Sequence, residues 1–173
     1  MAHISSINAG IFTYLDFYTG ASYLGTEAST GDFDALFVTA NDADIDRLPS
    51  IREFPSVGTP ANIVNVPVFG QAISSQVQGQ ADAPTLEFTV NYVPTDHEAF
   101  HTLIGTEGAI RIMMAESALT KTGSTAATVG VNNTSFYVHG RFEAILVNPQ
   151  LTDATTATVT MSTQSDFYGQ LRS

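Results

Sequence analysis

The chain has 173 residues, 43% of them hydrophobic and 13% charged, which supplies core material for one folded domain and excludes a disordered tail. Seventeen acidic residues against six basic ones give a formal charge of −11, and no two basic residues are adjacent, so an ordinary phosphate-neutralising nucleic-acid surface is excluded. Cysteine is absent, which removes disulfide scaffolds, thiol nucleophiles and cysteine zinc sites, and no apolar run reaches the roughly 18 residues of a membrane helix.

From the amino terminus, Met1 to Ser6 shows neither a basic nor an apolar signal region, so secretion by a signal peptide is not indicated. Between Ile11 and Leu24 the density of large apolar residues, with Phe12, Tyr14, Phe17, Tyr18 and Tyr23 among them, is too high for a free arm. These five are candidates to dock on a neighbouring subunit, or Tyr14, Phe17, Tyr18 and Tyr23 to present a ligand face in a monomer. Gly20 to Arg52 reads as an irregular, acidic stretch carrying Asp42, Asp44 and Asp46. A weak alternation from Ile73 to Gln80 puts Gln76 and Gln78 on a polar face. Thr85 to Tyr92 alternates cleanly, with Leu86, Phe88 and Val90 inward and Glu87, Thr89 and Asn91 outward. Pro94 ends that strand. A helix then spans about 96–104, with Thr95 as N-cap, Glu98 as the capping-box acid, and Phe100 and Leu103 on its apolar stripe. Gly105 sits where a left-handed C-terminal residue belongs. Further strands are expected at Gly108–Glu116, Ser135–Val147 and Thr156–Ser162, the last with Thr158 and Thr160 outward, and a polar loop at Ser117–Thr134. The expected fold is mainly β: an antiparallel sandwich or barrel with one short flanking helix and long loops. A single domain, 1–173, is expected, with 1–47 as an N-terminal segment and acidic loop and 48–170 as the sandwich core.

Two motifs imitate chemistry. His97-Glu98-Ala99-Phe100-His101 is a literal H-E-x-x-H on the expected helix, which in a zinc hydrolase would place two ligands on one face and a general base between them. The glycine some such families place three residues after the second histidine is Ile104 here, and Glu98 is already assigned to the cap, so the motif reads as two surface histidines on a capped helix. Asp42, Asp44, Asp46 and Glu53 fall at the carboxylate positions of a calcium loop, but Arg47 replaces its turn glycine, which leaves a solvated acidic loop. No catalytic residue, metal ligand or cofactor is assigned.

The order of segments carries a resemblance. Leu48-Pro49-Ser50-Ile51, Phe54-Pro55-Ser56-Val57-Gly58, Val66-Pro67-Val68-Phe69-Gly70, the strand from Leu86 to Tyr92, the capped helix, Tyr137-Val138-His139-Gly140-Arg141-Phe142 and Asn148-Pro149 follow in turn. Over roughly Leu48 to Gly169 the chain resembles the tail tube (major tail) proteins of long-tailed bacteriophages, of the non-contractile, siphophage type. The resemblance implies a β-sandwich that self-assembles into hexameric rings, stacked into a hollow tube through which DNA passes. It implies that Gln76, Gln78, Glu87, Thr89, Asn91, Thr158 and Thr160 face the lumen. Phe12, Tyr14, Phe17, Tyr18, Tyr23, Asp42, Asp44 and Asp46 would make inter-ring or inter-subunit contacts. The implied partners are further copies of the chain, a tape-measure protein, tail-tip and tail-terminator proteins, and double-stranded DNA in transit, with no membrane. The implied place is the virion tail, after synthesis in the host cytoplasm. The competing readings are a monomeric carbohydrate-type binding module and, remotely, the zinc hydrolase.

Overall fold

Apolar residues at every second position give one sheet face a core and leave the other polar, and this pattern builds the middle of the protein. The computed structural model describes residues 12–58, 63–67, 69–70, 75–78, 83–119 and 133–169. In chain order the elements are β1 (Thr13–Tyr18), α1 (Thr30–Leu36), a 3-10 turn (Thr39–Asp44), β2 (Ile45–Arg47), β3 (Ile51–Glu53), β4 (Ile63–Val66) and β5 (Ser75–Gln78). Then come β6 (Thr85–Asn91), α2 (Pro94–Thr102), β7 (Glu107–Ala115), β8 (Asn133–Asn148), β9 (Thr156–Thr163) and β10 (Tyr168–Gly169). The main sheet runs β2-β1-β7-β8-β9-β6-β3, with β10 also on β8, while β4 and β5 pair only with each other among the described residues. All pairings are antiparallel. The expected mainly β architecture is borne out, as an antiparallel sheet curled into a half-barrel.

The long strand β8 divides the sheet. Its first part, Asn133 to Arg141, pairs with β7, and its second part, Gly140 to Asn148, pairs with β9. The exchange occurs where Gly140 lies opposite Gly108. Neither position has room for a side chain: a Cβ on Gly140 would lie 2.8 Å from Ser162 O, and one on Gly108 would overlap the Tyr18 carbonyl oxygen. A bulge between Phe142 and Ala144 then re-aims the strand.

The two halves are covered differently. On β1, Leu15 and Phe17 enter the main core with Ile110, Ile112, Val138, Phe88, Val159 and Phe142. On the opposite face of the same half, Tyr18, Ala109 and Tyr137 pack with Phe33, Leu36 and Phe37 from α1 and its end. Among the described residues the β6–β9–β8 half has only the first covering, and its other face is bare.

Several expectations change. Residues 20–52 are not one irregular loop: they hold α1, the 3-10 turn and β2, and β3 begins at Ile51. A second helix therefore joins the expected one. Ser29 Oγ accepts from Asp32 N at 3.3 Å and donates to Asp32 Oδ2 at 2.8 Å, which starts α1. β1 is an interior strand, so residues 13–18 belong to the sheet rather than to a separate docking segment. The helix α2 begins at Pro94 with Val93 as N-cap, and no side chain of Val93 caps it. Proline is suited to that first position because its missing N–H would be unpaired there anyway. Gly105 does take a positive φ of 84° and ends the turn. The expected loop at 117–134 lies largely outside the described residues.

Candidate assembly surfaces

The bare face is a register of small polar side chains. Glu87 lies opposite Thr160, Thr89 opposite Thr158 and Asn91 opposite Thr156 across β6 and β9. On the next strand, Ala144 faces Thr160, Leu146 faces Thr158 and Asn148 faces Thr156. Glu87, Thr89, Asn91, Thr158 and Thr160 thus share one continuous face, with apolar Leu146 61% exposed among them. Thr89 Oγ1 donates to Glu53 Oε2 at 3.4 Å, and Ser162 Oγ donates to Glu143 Oε1 at 2.6 Å. The carboxylates therefore border the threonine rows.

Gln76 and Gln78 do not lie on that sheet. They belong to the β4–β5 hairpin, Gln76 opposite Asn65 and Gln78 opposite Ile63. Nothing else in the described chain resembles this hairpin's surface. Ile63, Val64, Val66 and Val77 are 57, 48, 41 and 54% exposed, with Val64 directly opposite Val77. A lone two-stranded hairpin is at best marginally stable in water, and among the described residues neither of its edges is paired further.

The residues expected to bridge subunits separate into groups. Phe17 and Tyr18 are wholly enclosed in the chain's own cores, which removes them both as inter-subunit contacts and as a monomer's ligand face. Strand β1 is sandwiched between covered faces, so its alternate residues are buried on both sides. Phe12 packs partly buried against Met113, Ala115 and Leu119. Tyr14 accepts from Leu119 N at 3.1 Å and lies under the Arg47 guanidinium, 4.2 Å from its ring centre. Tyr23 is half-buried, 5.6 Å from the His139 ring. Asp42 and Asp44 are in the 3-10 turn, and Asp46 pairs with Phe17 across β2 and β1. The calcium-like spacing is therefore divided between a turn, β2 and β3 and forms no single loop.

The H-E-x-x-H residues are also not a pair of surface histidines. His97 is fully buried, and its Nδ1 lies 2.9 Å from Val93 O, so this side chain folds back on the helix start in place of the expected Thr95–Glu98 cap. Its ring packs 5.3 Å from Tyr92, whose hydroxyl meets His101 Nε2 at 3.0 Å. His101 and Glu98 are exposed. Among the described residues no group of three or more His, Asp or Glu side chains is arranged around a metal position.

The sheet also holds an ionic centre that no local sequence motif announces. Asp16, fully buried, accepts from Arg47 Nε at 2.7 Å and Nη2 at 3.0 Å and from Arg111 Nε at 3.1 Å and Nη2 at 2.5 Å. Arg47 Nη1 also donates to Leu119 O at 2.9 Å, and the Arg111 guanidinium lies 4.4 Å from the Phe37 ring centre. The available signal was one aspartate inside Tyr14-Leu15-Asp16-Phe17-Tyr18, a carboxylate with no place in an apolar strand unless paired.

No protein-family model matches the sequence, and no curated protein matches it. The fold does recur among solved structures. A chain of the anti-feeding prophage (AFP) baseplate, 6-fold symmetrised, superposes with TM-score 0.56 at 9% identity, covering 94% of this chain and 95% of that one. A chain of the PVC sheath/tube terminator of an extracellular contractile injection system gives 0.57 at 8% identity, covering 96% and 99%. The SPP1 tail tube gives 0.52 at 9% identity, covering 96% and 81%. This chain shares the fold of the SPP1 tail tube. At such identities the likeness is one of fold alone, and because it includes a contractile system it does not select the non-contractile type.

Proposed function

We propose that this chain is a structural subunit of a phage-type tail tube, assembling with copies of itself into stacked hexameric rings around a channel. The carrying observation is the bare threonine-rich face of β6, β9 and the second half of β8, on a chain whose fold matches tail-tube and related assemblies. In this reading Glu87, Thr89, Asn91, Thr158 and Thr160 line the lumen, and the hairpin with Gln76 and Gln78 contacts the next subunit. Phe12, Tyr14, Tyr23, Asp42, Asp44 and Asp46 remain contact candidates at ring borders. Glu53, Glu87 and Glu143 would give the wall a negative edge that passing DNA does not adhere to, over the ~8 Å within which physiological salt leaves charges visible. Tape-measure, tail-tip and terminator proteins would be the partners, the virion tail the location, and catalysis no part of the role.

Electron microscopy of the concentrated protein tests this. Hollow tubes or ring stacks are expected from the native chain. The double variant Val64→Asp, Val77→Asp should lose them while its Tm moves by only about 1–2 °C, as for other surface changes. Persistent monomers at high concentration, even when seeded with preformed tail tips, would refute the tube reading. Unaffected tubes from the hairpin variant would refute the hairpin's part in it.

A further inference from the structure

Apart from the polar face and the hairpin, one cleft holds a buried carboxylate oxygen with no hydrogen bond among the described residues. It has a volume of about 490 Å³ and is walled by Tyr23, Glu27, Glu107, His139, Gln164 and Tyr168. The segment between β1 and α1 brings Tyr23 and Glu27 to it, β7 brings Glu107, and β8 brings His139. The Glu27 side chain is only 7% exposed. Its Oε1 accepts from Leu24 N at 2.9 Å, whereas its Oε2 is buried with no hydrogen-bond partner among the described residues. His139 does not fill that role. Its Nε2 is spent on Glu27 O at 2.8 Å and its Nδ1 lies 3.2 Å from Tyr23 Oη, leaving 3.7 Å between Nδ1 and Glu27 Oε2, beyond hydrogen-bond length. Among the described residues Glu107 Oε1 accepts from a neutral donor, Gln164 Nε2, at 3.3 Å. Arg141, directly opposite Glu107 on β8, makes no ion pair with either carboxylate.

A buried carboxylate oxygen without a partner is costly, and a cation supplied from outside would remove that cost. We propose that this cleft binds a guanidinium group, with Glu27 Oε2 as the charged acceptor, Glu107 as the second carboxylate, and the Tyr23 and His139 rings as an aromatic wall. A planar fork of N–H donors fits two carboxylates and stacks on rings, which a compact ammonium does less well. The chain already uses this pairing internally, with Arg47 over Tyr14 and Arg111 over Phe37. A bare metal ion fits poorly, because the volume is that of an organic-ligand site and the described donors do not converge on one point. The negative potential is also felt at Tyr23, whose hydroxyl is pushed up to about 12 by burial first and then by Glu27 and Glu107. The guanidinium could come from a free small molecule or from an exposed arginine of a second copy. Arg52 on the outermost strand β3 is a described candidate, having no ion pair among the described residues.

Calorimetric titration of the purified full chain with agmatine, at low ionic strength, tests the site. One saturable site is expected, about tenfold weaker in Glu27→Gln, which keeps the side chain's shape and its bond to Leu24 N while removing the charge. Should Glu27→Gln fold poorly, Glu107→Gln at the more exposed carboxylate must weaken binding by a smaller factor. No saturable binding, equal affinity in both variants, or stoichiometric displacement of agmatine by Ca²⁺ would each overturn the proposal. The source is read from self-association. If agmatine and Arg52→Gln both weaken it, a neighbouring copy supplies the group; if neither does, a free ligand does.

Discussion

Replacing Asp16 with Asn is the sharpest test of how the first half of the sheet is held. The substitution keeps the volume but leaves two guanidinium groups facing a neutral amide whose nitrogen is itself a donor. Asp16 is fully buried and the Arg111 side chain is 2% exposed, so water screens the resulting repulsion little. Removing one member of such a buried pair costs about 3–5 kcal/mol, because the orphaned charge stays in the protein. Arg47, with its side chain 16% exposed, can turn partly towards solvent, which favours the lower end of that range. For a chain of this length each kcal/mol corresponds to roughly 2–4 °C, giving a fall in Tm of about 6–20 °C. Thermal and urea unfolding followed by circular dichroism would measure it. The triple replacement Asp16→Leu, Arg47→Met, Arg111→Met should recover much of the loss, since well-packed apolar groups often match a buried ion cluster. A loss under about 1 kcal/mol in Asp16→Asn would refute the reasoning, by showing that the two arginines find other acceptors at little cost.

Four further outcomes are expected. Gly140→Ala should cost about 1–3 kcal/mol in urea unfolding, because the new Cβ meets the Ser162 carbonyl where β8 changes partner. His97→Ala should destabilise by about 2–4 kcal/mol through a cavity and a lost helix-start contact, whereas Glu98→Ala should stay within about 0.5 kcal/mol; the reverse ranking would restore a role for the H-E-x-x-H glutamate. Ultraviolet titration should find Tyr23 ionising well above its ordinary 10.0, and Tyr137 higher still because it is buried and donates to Asp34. Folded values above unfolded ones mean that this contribution to stability is complete below pH 10.0 and is lost as pH rises through about 12 for Tyr23, so alkaline unfolding should begin there. Because the native chain has no cysteine, Thr158→Cys gives a single thiol that should react freely with a bulky maleimide in dispersed protein and slowly in tubes. Equal rates would remove Thr158 from the lumen.

How far the fold could be read depended on which faces meet water. β6 and β9 show period-two alternation because Thr, Glu and Asn occupy one side of each strand, so the pattern puts Glu87, Thr89, Asn91, Thr158 and Thr160 outward, and strand pairing brings them onto one face. β1 is covered on both sides, and four consecutive buried residues, Leu15 to Tyr18, hide any alternation; its aromatics looked like docking residues when two of them are core. β2 and β3, at three residues each, are too short for periodicity to register. α1 was concealed by Gly31, although Ser29-x-x-Asp32 in front of Phe33 is a start signal. Gln76 and Gln78 were assigned by polarity, which does not reveal that their strand leaves the main sheet. The cluster of Asp16, Arg47 and Arg111 joins residues 31 and 95 positions apart, and no local pattern announces such a pairing.

The asymmetry of the sheet bears on the choice between a monomer and an assembly. If the bare face were only the wet side of a solitary sandwich, long charged side chains would suit it best, since they keep apolar stems covered and heads hydrated. Instead β9 presents a line of threonines with Leu146 exposed beside Thr158, while charged Glu87 shares the face and Glu53 and Glu143 border it. A surface of short β-branched groups is smooth and offers little to grip. Exposed Ile63, Val64, Val66 and Val77 meanwhile lie together on a hairpin that, among the described residues, is unpaired with the main sheet. In the proposed assembly the hairpin would supply the adhesive surface and the threonine-rich face the non-adhesive one.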